Sequence, residues 1–344
     1  MKKLLLRALL VILTLTLVIL PVASCNKKPD GDTATTTAPV TSAEPDKDLE
    51  IKIYLLNGTT ALGASKLIVD AEEGNTDMNY KIETFTAADQ ITGAIVSGEC
   101  AIAALPTNAA ANLYKKSEGK VQLLAINTLG VLYLLNNGED ATDFESLKGK
   151  TIYLPGAGSN PEFITAALLE ANGLTADDVT LDTTTYPSPD ALATAITAGE
   201  AKLAVLPEPK VTVVCSSNAD VKVAMDFTAE WEKVYGENTL AQGCLVVNTA
   251  FAKAHPAEIN KFLDDYKASV EYIAAGSDDA IGDIVKAGIL PKAPVAKKAL
   301  PNCNICFIEG KAMKDAISVF YEKLHASNNK AIAAIPDDAF YFVR

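Results

Sequence analysis

The sequence predicts an α/β protein of two similar lobes, each a sheet covered by helices, with a hinged cleft between them. Three observations predict it: an internal repeat, strands that are apolar without interruption, and polar loops joining strand to helix at matching places in both halves.

The repeat is read directly from the residues. Ser97-Gly98-Glu99-Cys100-Ala101-Ile102-Ala103-Ala104-Leu105-Pro106 aligns without a gap with Ala198-Gly199-Glu200-Ala201-Lys202-Leu203-Ala204-Val205-Leu206-Pro207. At the same offset before each copy lies a helix opened by an acid, Asp89 or Asp190, and before that an aromatic, Phe85 or Tyr186. Ile91, Ile95 and Val96 form an apolar stripe at helical spacing, as do Leu192 and Ile196 with their alanine neighbours. Gly98 and Gly199 fall where each helix must end, a position that favours glycine. The apolar runs 101–105 and 203–206 suit strands covered on both faces. Pro106 and Pro207 are expected in the first turn of the following helix, where a missing N–H costs nothing.

Each half also begins alike. Ile51-Lys52-Ile53-Tyr54-Leu55-Leu56 reads as a strand ending in Asn57-Gly58-Thr59-Thr60, followed by a helix through Leu67 to Ala71. Thr151-Ile152-Tyr153-Leu154 reads as a strand ending in Pro155-Gly156-Ala157-Gly158-Ser159, followed by a helix through Leu168 to Glu170. The result is two βαβα halves. Beyond them, strands are expected at 221–225 and 244–248, and helices at 256–275, 280–286 and 309–325. The last helices should return to brace the first lobe, with hinges near 132–137 and 225–228.

The N-terminus reads as an address. Lys2, Lys3 and Arg7 precede an apolar run from Ala8 to Leu20, too short for a spanning helix and suited to a secretory signal. Val22-Ala23-Ser24-Cys25 ends it in the manner of a lipoprotein signal, so residues 1–24 are expected to be removed and Cys25 to carry the lipid. Residues 25–48, rich in Thr, Ala, Pro, Asp and Ser, form a flexible tether. The body then divides into lobe I (49–135), lobe II (136–225) and a return to lobe I with C-terminal helices (226–344).

Composition narrows the partners. The net charge is −13, and the signal holds three positive residues and no acid, so the remainder is more acidic still. Such a chain repels nucleic acid and anionic lipid. Five cysteines remain after Cys25, an odd number scattered through apolar segments, which is no disulfide framework. Cys303-Asn304-Ile305-Cys306 is a lone CxxC without the second pair or histidine that a zinc site needs, and reads as two buried or incidentally paired thiols.

Ligands of open α/β sheets bind beyond the carboxyl ends of strands, against helix N-termini. Four loops qualify here: 57–60, 106–108, 156–160 and 207–208. Turn chemistry alone explains each one, since Gly supplies positive φ and Ser, Thr and Asn cap helices. It does not explain why the same polar junction recurs in both halves. The candidate ligand-binding residues are therefore Asn57, Thr59, Thr60, Thr107, Asn108, Gly158, Ser159, Asn160 and Glu208, with Phe85 and Tyr186 as aromatic platforms or edge packing.

From Leu49 onward the chain resembles the substrate-binding proteins of ABC importers, in the branch that handles nitrate, sulfonate, taurine and thiamine pyrimidines. The matching pieces are Leu147-Lys148-Gly149-Lys150-Thr151-Ile152, the Gly156–Ser159 loop and Leu168-Leu169-Glu170-Ala171-Asn172-Gly173-Leu174 before Asp178-Val179. Gly199-Glu200 before Leu206-Pro207-Glu208-Pro209, and the stretch from Phe251 to His255-Pro256, complete them. The resemblance implies a type II periplasmic-binding-protein-like architecture. It further implies a permease and an ATPase as partners. The signal and Cys25 place the body outside the cytoplasm on the cell membrane, a tethered shuttle works as a monomer, and no cofactor is expected.

None of the four loops carries Arg or Lys, whereas Glu162 and Glu208 stand in or beside them, so a neutral or cationic heterocycle such as a vitamin or pyrimidine precursor is the expected ligand. A sulfonate- or nitrate-type anion held by backbone amides is the alternative. Two other classes share the fold. A pyrimidine-synthase-like enzyme would need histidine and cysteine chemistry, but His255 and His325 both sit at helix ends where structure explains them. A ligand-sensing lipoprotein would use the same closing cleft.

Overall fold

A computed structural model describes residues 44–327 and 331–344. The expected signal and Cys25, with most of the tether, lie outside the described residues. The first half runs β1 (Glu50–Leu56), α1 (Thr59–Leu62), α2 (Ser65–Glu73), β2 (Asn79–Phe85), α3 (Asp89–Ser97), β3 (Ile102–Pro106), α4 (Thr107–Lys116) and β4 (Val121–Thr128). The second runs β5 (Leu132–Asn136), β6 (Thr151–Tyr153), α5 (Asn160–Ala171), β7 (Thr180–Asp182), α6 (Pro189–Ala198), β8 (Leu203–Pro207), α7 (Lys210–Ser217), β9 (Lys222–Asp226) and α8 (Phe227–Tyr235). The chain closes with β10 (Gly243–Asn248), α9 (Thr249–Ala254), α10 (Pro256–Ala274), α11 (Asp278–Lys286), α12 (Ala293–Ala299), β11 (Ile305–Glu309) and α13 (Gly310–Ser327).

Two sheets result. The first has the order β11-β4-β10-β3-β1-β2 and the second β7-β6-β8-β5-β9. In the first, β1 lies parallel to β2 and β3; in the second, β6 lies parallel to β7 and β8. Into each is inserted one antiparallel strand from outside the repeat, β10 between β3 and β4, and β5 between β8 and β9. The uninterrupted apolar character of these strands has its reason in burial: every residue of β10, and the first four of β3, β5 and β8, are buried.

Two expectations need correction. The segment 132–137, expected as a hinge, is the buried strand β5 with Asn137 just beyond it, and 225–228 is the end of β9 and the start of α8. The chain crosses between sheets at 129–131 and returns at 236–242. The prolines also differ from expectation, because Pro106 and Pro207 are the last residues of β3 and β8. A strand end tolerates the missing N–H as well as a helix start does. After Pro106, α4 begins at once. After Pro207, α7 waits until Lys210, because Pro209 disfavours helical backbone at Glu208.

The core explains why the halves hold together. One cluster of buried side chains includes Leu105 and Val121 of the first sheet, Leu134 and Val205 of the second, and Phe163, Trp231 and Phe320 on α5, α8 and α13. Trp231 lies edge-on to Phe320, with ring centroids 5.6 Å apart. A second cluster packs α2, α10 and α11 on the first sheet, and a third packs α6 and α7 on the second. Asp46, within the expected tether, donates its N–H to the buried carboxylate of Glu258 on α10 at 2.9 Å.

Candidate ligand-binding cleft

Both sheets present the carboxyl ends of their parallel strands to one cleft of about 490 Å³. From the first half come Asn57, Gly58, Thr59 and Thr60 after β1, and Pro106, Asn108 and Ala109 after β3. From the second come Ser159, Asn160 and Pro161 after β6, and Pro207, Glu208, Pro209 and Lys210 after β8, with Pro189 at the start of α6. Seven of the residues expected at the site are thus brought together: Asn57, Thr59, Thr60, Asn108, Ser159, Asn160 and Glu208.

The other four are placed elsewhere. Thr107 is fully buried, and its hydroxyl donates to the Ala241 carbonyl at 2.6 Å, so it pins α4 to the segment before β10. Gly158 does not line the cleft; its N–H donates to Glu162 Oε2 at 2.6 Å. Phe85 packs on Tyr54, and Tyr186 on Tyr153, with centroids 4.7 and 5.2 Å apart, so both are edge packing and not platforms over the cleft. A partner within its own half satisfies each ring.

Local order at the first-half loop comes from β4. Asn127 Nδ2 donates to the Thr60 carbonyl at 2.9 Å and Thr128 Oγ1 to the Thr59 carbonyl at 3.3 Å, which holds the single turn of α1 in place. Gly58, just before α1, has φ of 111°, a conformation that glycine adopts without strain. Gly243 is glycine for a different reason: a Cβ there would fall 2.7 Å from both Asn127 Oδ1 and Thr60 Cγ2.

Sequence reasoning missed Gln242, Thr128, Val131 and Lys210, all of which line the cleft. Gln242 and Val131 stand just before the inserted strands β10 and β5. An antiparallel strand enters the sheet at the edge where its neighbours leave, so its N-terminal end reaches the same cleft, a position that the carboxyl-end rule does not cover. Gln242 Oε1 accepts the Val131 N–H at 2.7 Å, which ties the two crossings together on the cleft wall.

Lys210 corrects the charge expectation, since a basic residue does line the cleft. It is ion-paired with Asp190, the acid that marks the second copy of the repeat. Glu208 is 3% exposed, and burial raises its pKa against the lowering effect of its hydrogen bonds. Its carboxylate accepts the Thr212 N–H at 3.1 Å and the Thr212 hydroxyl at 2.9 Å, so it caps α7. The positive end of α5 is likewise met by the Glu162 carboxylate on Gly158.

The cysteines and histidines lie apart from the cleft. Cys303 and Cys306 are free thiols, and burial raises both, Cys306 to about 12. His325 Nδ1 lies 3.2 Å from the Ile332 carbonyl, and His255 stacks on Phe251. Among the described residues no group of three or more His, Cys, Asp or Glu could hold a metal ion, and no helix is long and apolar enough to cross a membrane.

Two sheets built on one repeat, each completed by an inserted antiparallel strand and both facing one cleft, define the type II periplasmic-binding-protein fold. Known proteins agree. The family model described as NMT1/THI5 like matches residues 119–280. A crystal structure of an ABC transporter protein from Parabacteroides distasonis is similar at TM-score 0.73 and 22% identity, covering 87% of this chain and 100% of that one. The periplasmic aliphatic sulphonate binding protein of Escherichia coli is similar at TM-score 0.65 and 14% identity, covering 83% and 89%. The putative periplasmic sulfonate-binding protein of Methylobacillus flagellatus is similar at TM-score 0.62 and 17% identity, covering 83% and 88%. None of the curated proteins matches by sequence.

Proposed function

We propose that this chain is the extracytoplasmic substrate-binding component of an ABC importer, anchored through a lipid on Cys25 and delivering a small solute to a permease and its ATPase. The observation that carries the reading is the cleft itself, walled by equivalent loops of both halves. A ligand seated there touches both sheets at once, so its binding energy favours the closed arrangement. The crossings at 129–131 and 236–242 are the proposed hinges. No catalytic residue is assigned. A structure of similar fold from Staphylococcus aureus is described as the ligand binding component of an ABC-type import system.

A neutral or cationic solute, such as a vitamin or pyrimidine-like heterocycle, suits the charges. Lys210 is neutralised by Asp190, Glu162 occupies the α5 terminus, and Glu208 adds a further acid. The same lysine favours the second reading, a sulfonate-type anion, the ligand named for two of the similar structures. A thermal-shift panel of vitamins, pyrimidines, amino acids, amines and sulfonates separates them. A ligand at a hundredfold its Kd adds about 2.7 kcal/mol to native stability, a shift of a few degrees. A shift from neutral or cationic heterocycles, kept in Lys210→Ala, is expected. A shift from methanesulfonate that Lys210→Ala abolishes would establish the anion, and no shift across the panel would overturn the binding reading.

A further inference from the structure

The carboxamide of Asn160 differs from the other buried or hydrogen-bonded polar side chains of the cleft wall, while Thr59 and Asn108 are only half-buried. Asn57 Oδ1 accepts the Gly58 N–H, Thr60 donates to the Leu56 carbonyl, and Ser159 donates to the Pro155 carbonyl. Glu208 caps α7, and Gln242 Oε1 holds the Val131 N–H. Asn160 opens the twelve-residue helix α5, lines the cleft and is only 8% exposed. Its Oδ1 is shut off from water with no hydrogen-bond partner. Buried polar atoms of native proteins are rarely left so, because the desolvation cost is then uncompensated.

We propose that Asn160 is the specificity-determining residue of this cleft, and that it reads a ligand edge carrying a hydrogen-bond donor beside an acceptor: a carboxamide, a lactam or an amino-heterocycle. The inference rests on reading the cleft as a binding site. A carboxamide offers N–H on one side and C=O on the other, so its full complement is an edge with both, the geometry by which Asn pairs with adenine. A sulfonate offers acceptors only and a simple ammonium donors only, and each leaves half of Asn160 unpaired. The amide turns readily about χ2, a broad torsion in Asn, which brings the covered oxygen round to such an edge. Gln242 strengthens the argument: with Oε1 fixed by Val131, its amide keeps N–H groups for a ligand acceptor. A site built around such groups rejects analogues that lack the partner far more strongly than it rejects a change of apolar bulk.

The test is titration of the purified full chain with nicotinamide, cytosine and 2-pyrrolidone, against methanesulfonate and methylammonium, in the wild type, Asn160→Ala and Asn160→Asp. Aspartate keeps the shape and removes the N–H donor, so it separates reading from packing. A donor–acceptor probe is expected to bind the wild type and to lose about tenfold to a hundredfold in both variants. The ligand-free melting temperature should hold steady or rise in Asn160→Ala, since an unpaired group has been removed. Unchanged affinity in both variants, tighter binding of methanesulfonate than of the donor–acceptor probes, or a ligand-free Asn160→Ala melting more than about 3 °C lower would each overturn the proposal. If these probes and the wider solute panel all fail to bind the wild type, the cleft reading itself fails and this inference falls with it. That result is distinct from a probe that binds regardless of residue 160.

Discussion

In the first sheet, the inserted strand β10 ends on Asn248, whose Nδ2 donates to the Ile95 carbonyl at 2.9 Å. In the second, β5 is followed by Asn137, whose Nδ2 donates to the Ile196 carbonyl at 2.8 Å. Ile95 and Ile196 are equivalent positions of the repeat, in the last turn before Gly98 and Gly199. The two halves therefore satisfy the same helix-end carbonyl with an asparagine drawn from outside the repeat. At the cleft they part company. Thr107 of the first half corresponds to Glu208 of the second, and Ala109 to Lys210, so one wall is neutral and the other charged. Packing demands the same hydrogen bonds wherever the same skeleton recurs, whereas a loop facing a ligand is free to differ. The asparagines are also unequal, because Asn248 Oδ1 caps α9 by accepting the Ala250 and Phe251 N–H groups, and Asn137 makes no such second set.

The two inserted strands can be broken first. Leu245 on β10 and Leu134 on β5 are both fully buried. Leu245→Ala and Leu134→Ala should each cost about 2–5 kcal/mol. Since the closing segment supplies β10 and β11 to the first sheet and one core cluster spans both sheets, unfolding should stay a single transition in both variants. Fluorescence of Trp231, the one tryptophan of the chain, and far-UV circular dichroism would then coincide in urea. Separated transitions would show that the halves unfold independently. The asparagines give a smaller, graded comparison. Asn248→Ala loses a helix cap and a buried bond, about 2–3 kcal/mol together, and Asn137→Ala about 1 kcal/mol. Equal losses, measured by urea midpoints, would remove the asymmetry.

The repeat made much of this fold legible. The strands around Ile53, Ile102, Ile152 and Leu203 stand where the apolar runs put them, because burial on both sheet faces leaves an unbroken signature. The same signature hid β4 and β5. Residues 121–136 form one nearly continuous apolar stretch, and nothing in its composition shows that the chain leaves one sheet at Thr128 and enters the other at Leu132. β11 was hidden by its CxxC. At the cleft, turn-forming residues after parallel strands were readable, while Gln242 and Val131 were not, since their position depends on which edge an inserted antiparallel strand enters. Asn160 and Ser159 look alike in the sequence as cap-forming residues. Only the hydrogen bonds separate them, Ser159 being satisfied by Pro155 and Gly156 and Asn160 by nothing.

The charged wall makes the finest distinction, through pH. Burial raises Glu208 above the usual carboxylate range, so the native state holds its proton more tightly than the unfolded chain does. The stability tied to that proton is complete below the unfolded pKa and is lost as pH rises through the native one. Glu208→Gln should therefore match the wild type near pH 4 and gain on it as pH rises above the ordinary glutamate range. Thr107, the first-half counterpart, has nothing to titrate, so Thr107→Val should shift stability by the same amount at every pH. Asp182, at the end of β7, has the opposite sign. Hydrogen bonds from the Thr185 hydroxyl and the Thr185 and Thr184 N–H groups hold it down to about 2. Its contribution is present above the ordinary aspartate pKa and fades as pH falls toward 2, so Asp182→Asn should cost stability at pH 7 and little at pH 2. The Glu208 effect should be the smallest of those argued, because the Thr212 and Asn302 hydrogen bonds partly offset the burial. A Glu208→Gln curve running parallel to the wild type from pH 4 to 7 would mean that the charged wall is as well solvated as the neutral one, and that the two halves differ at the cleft in shape alone.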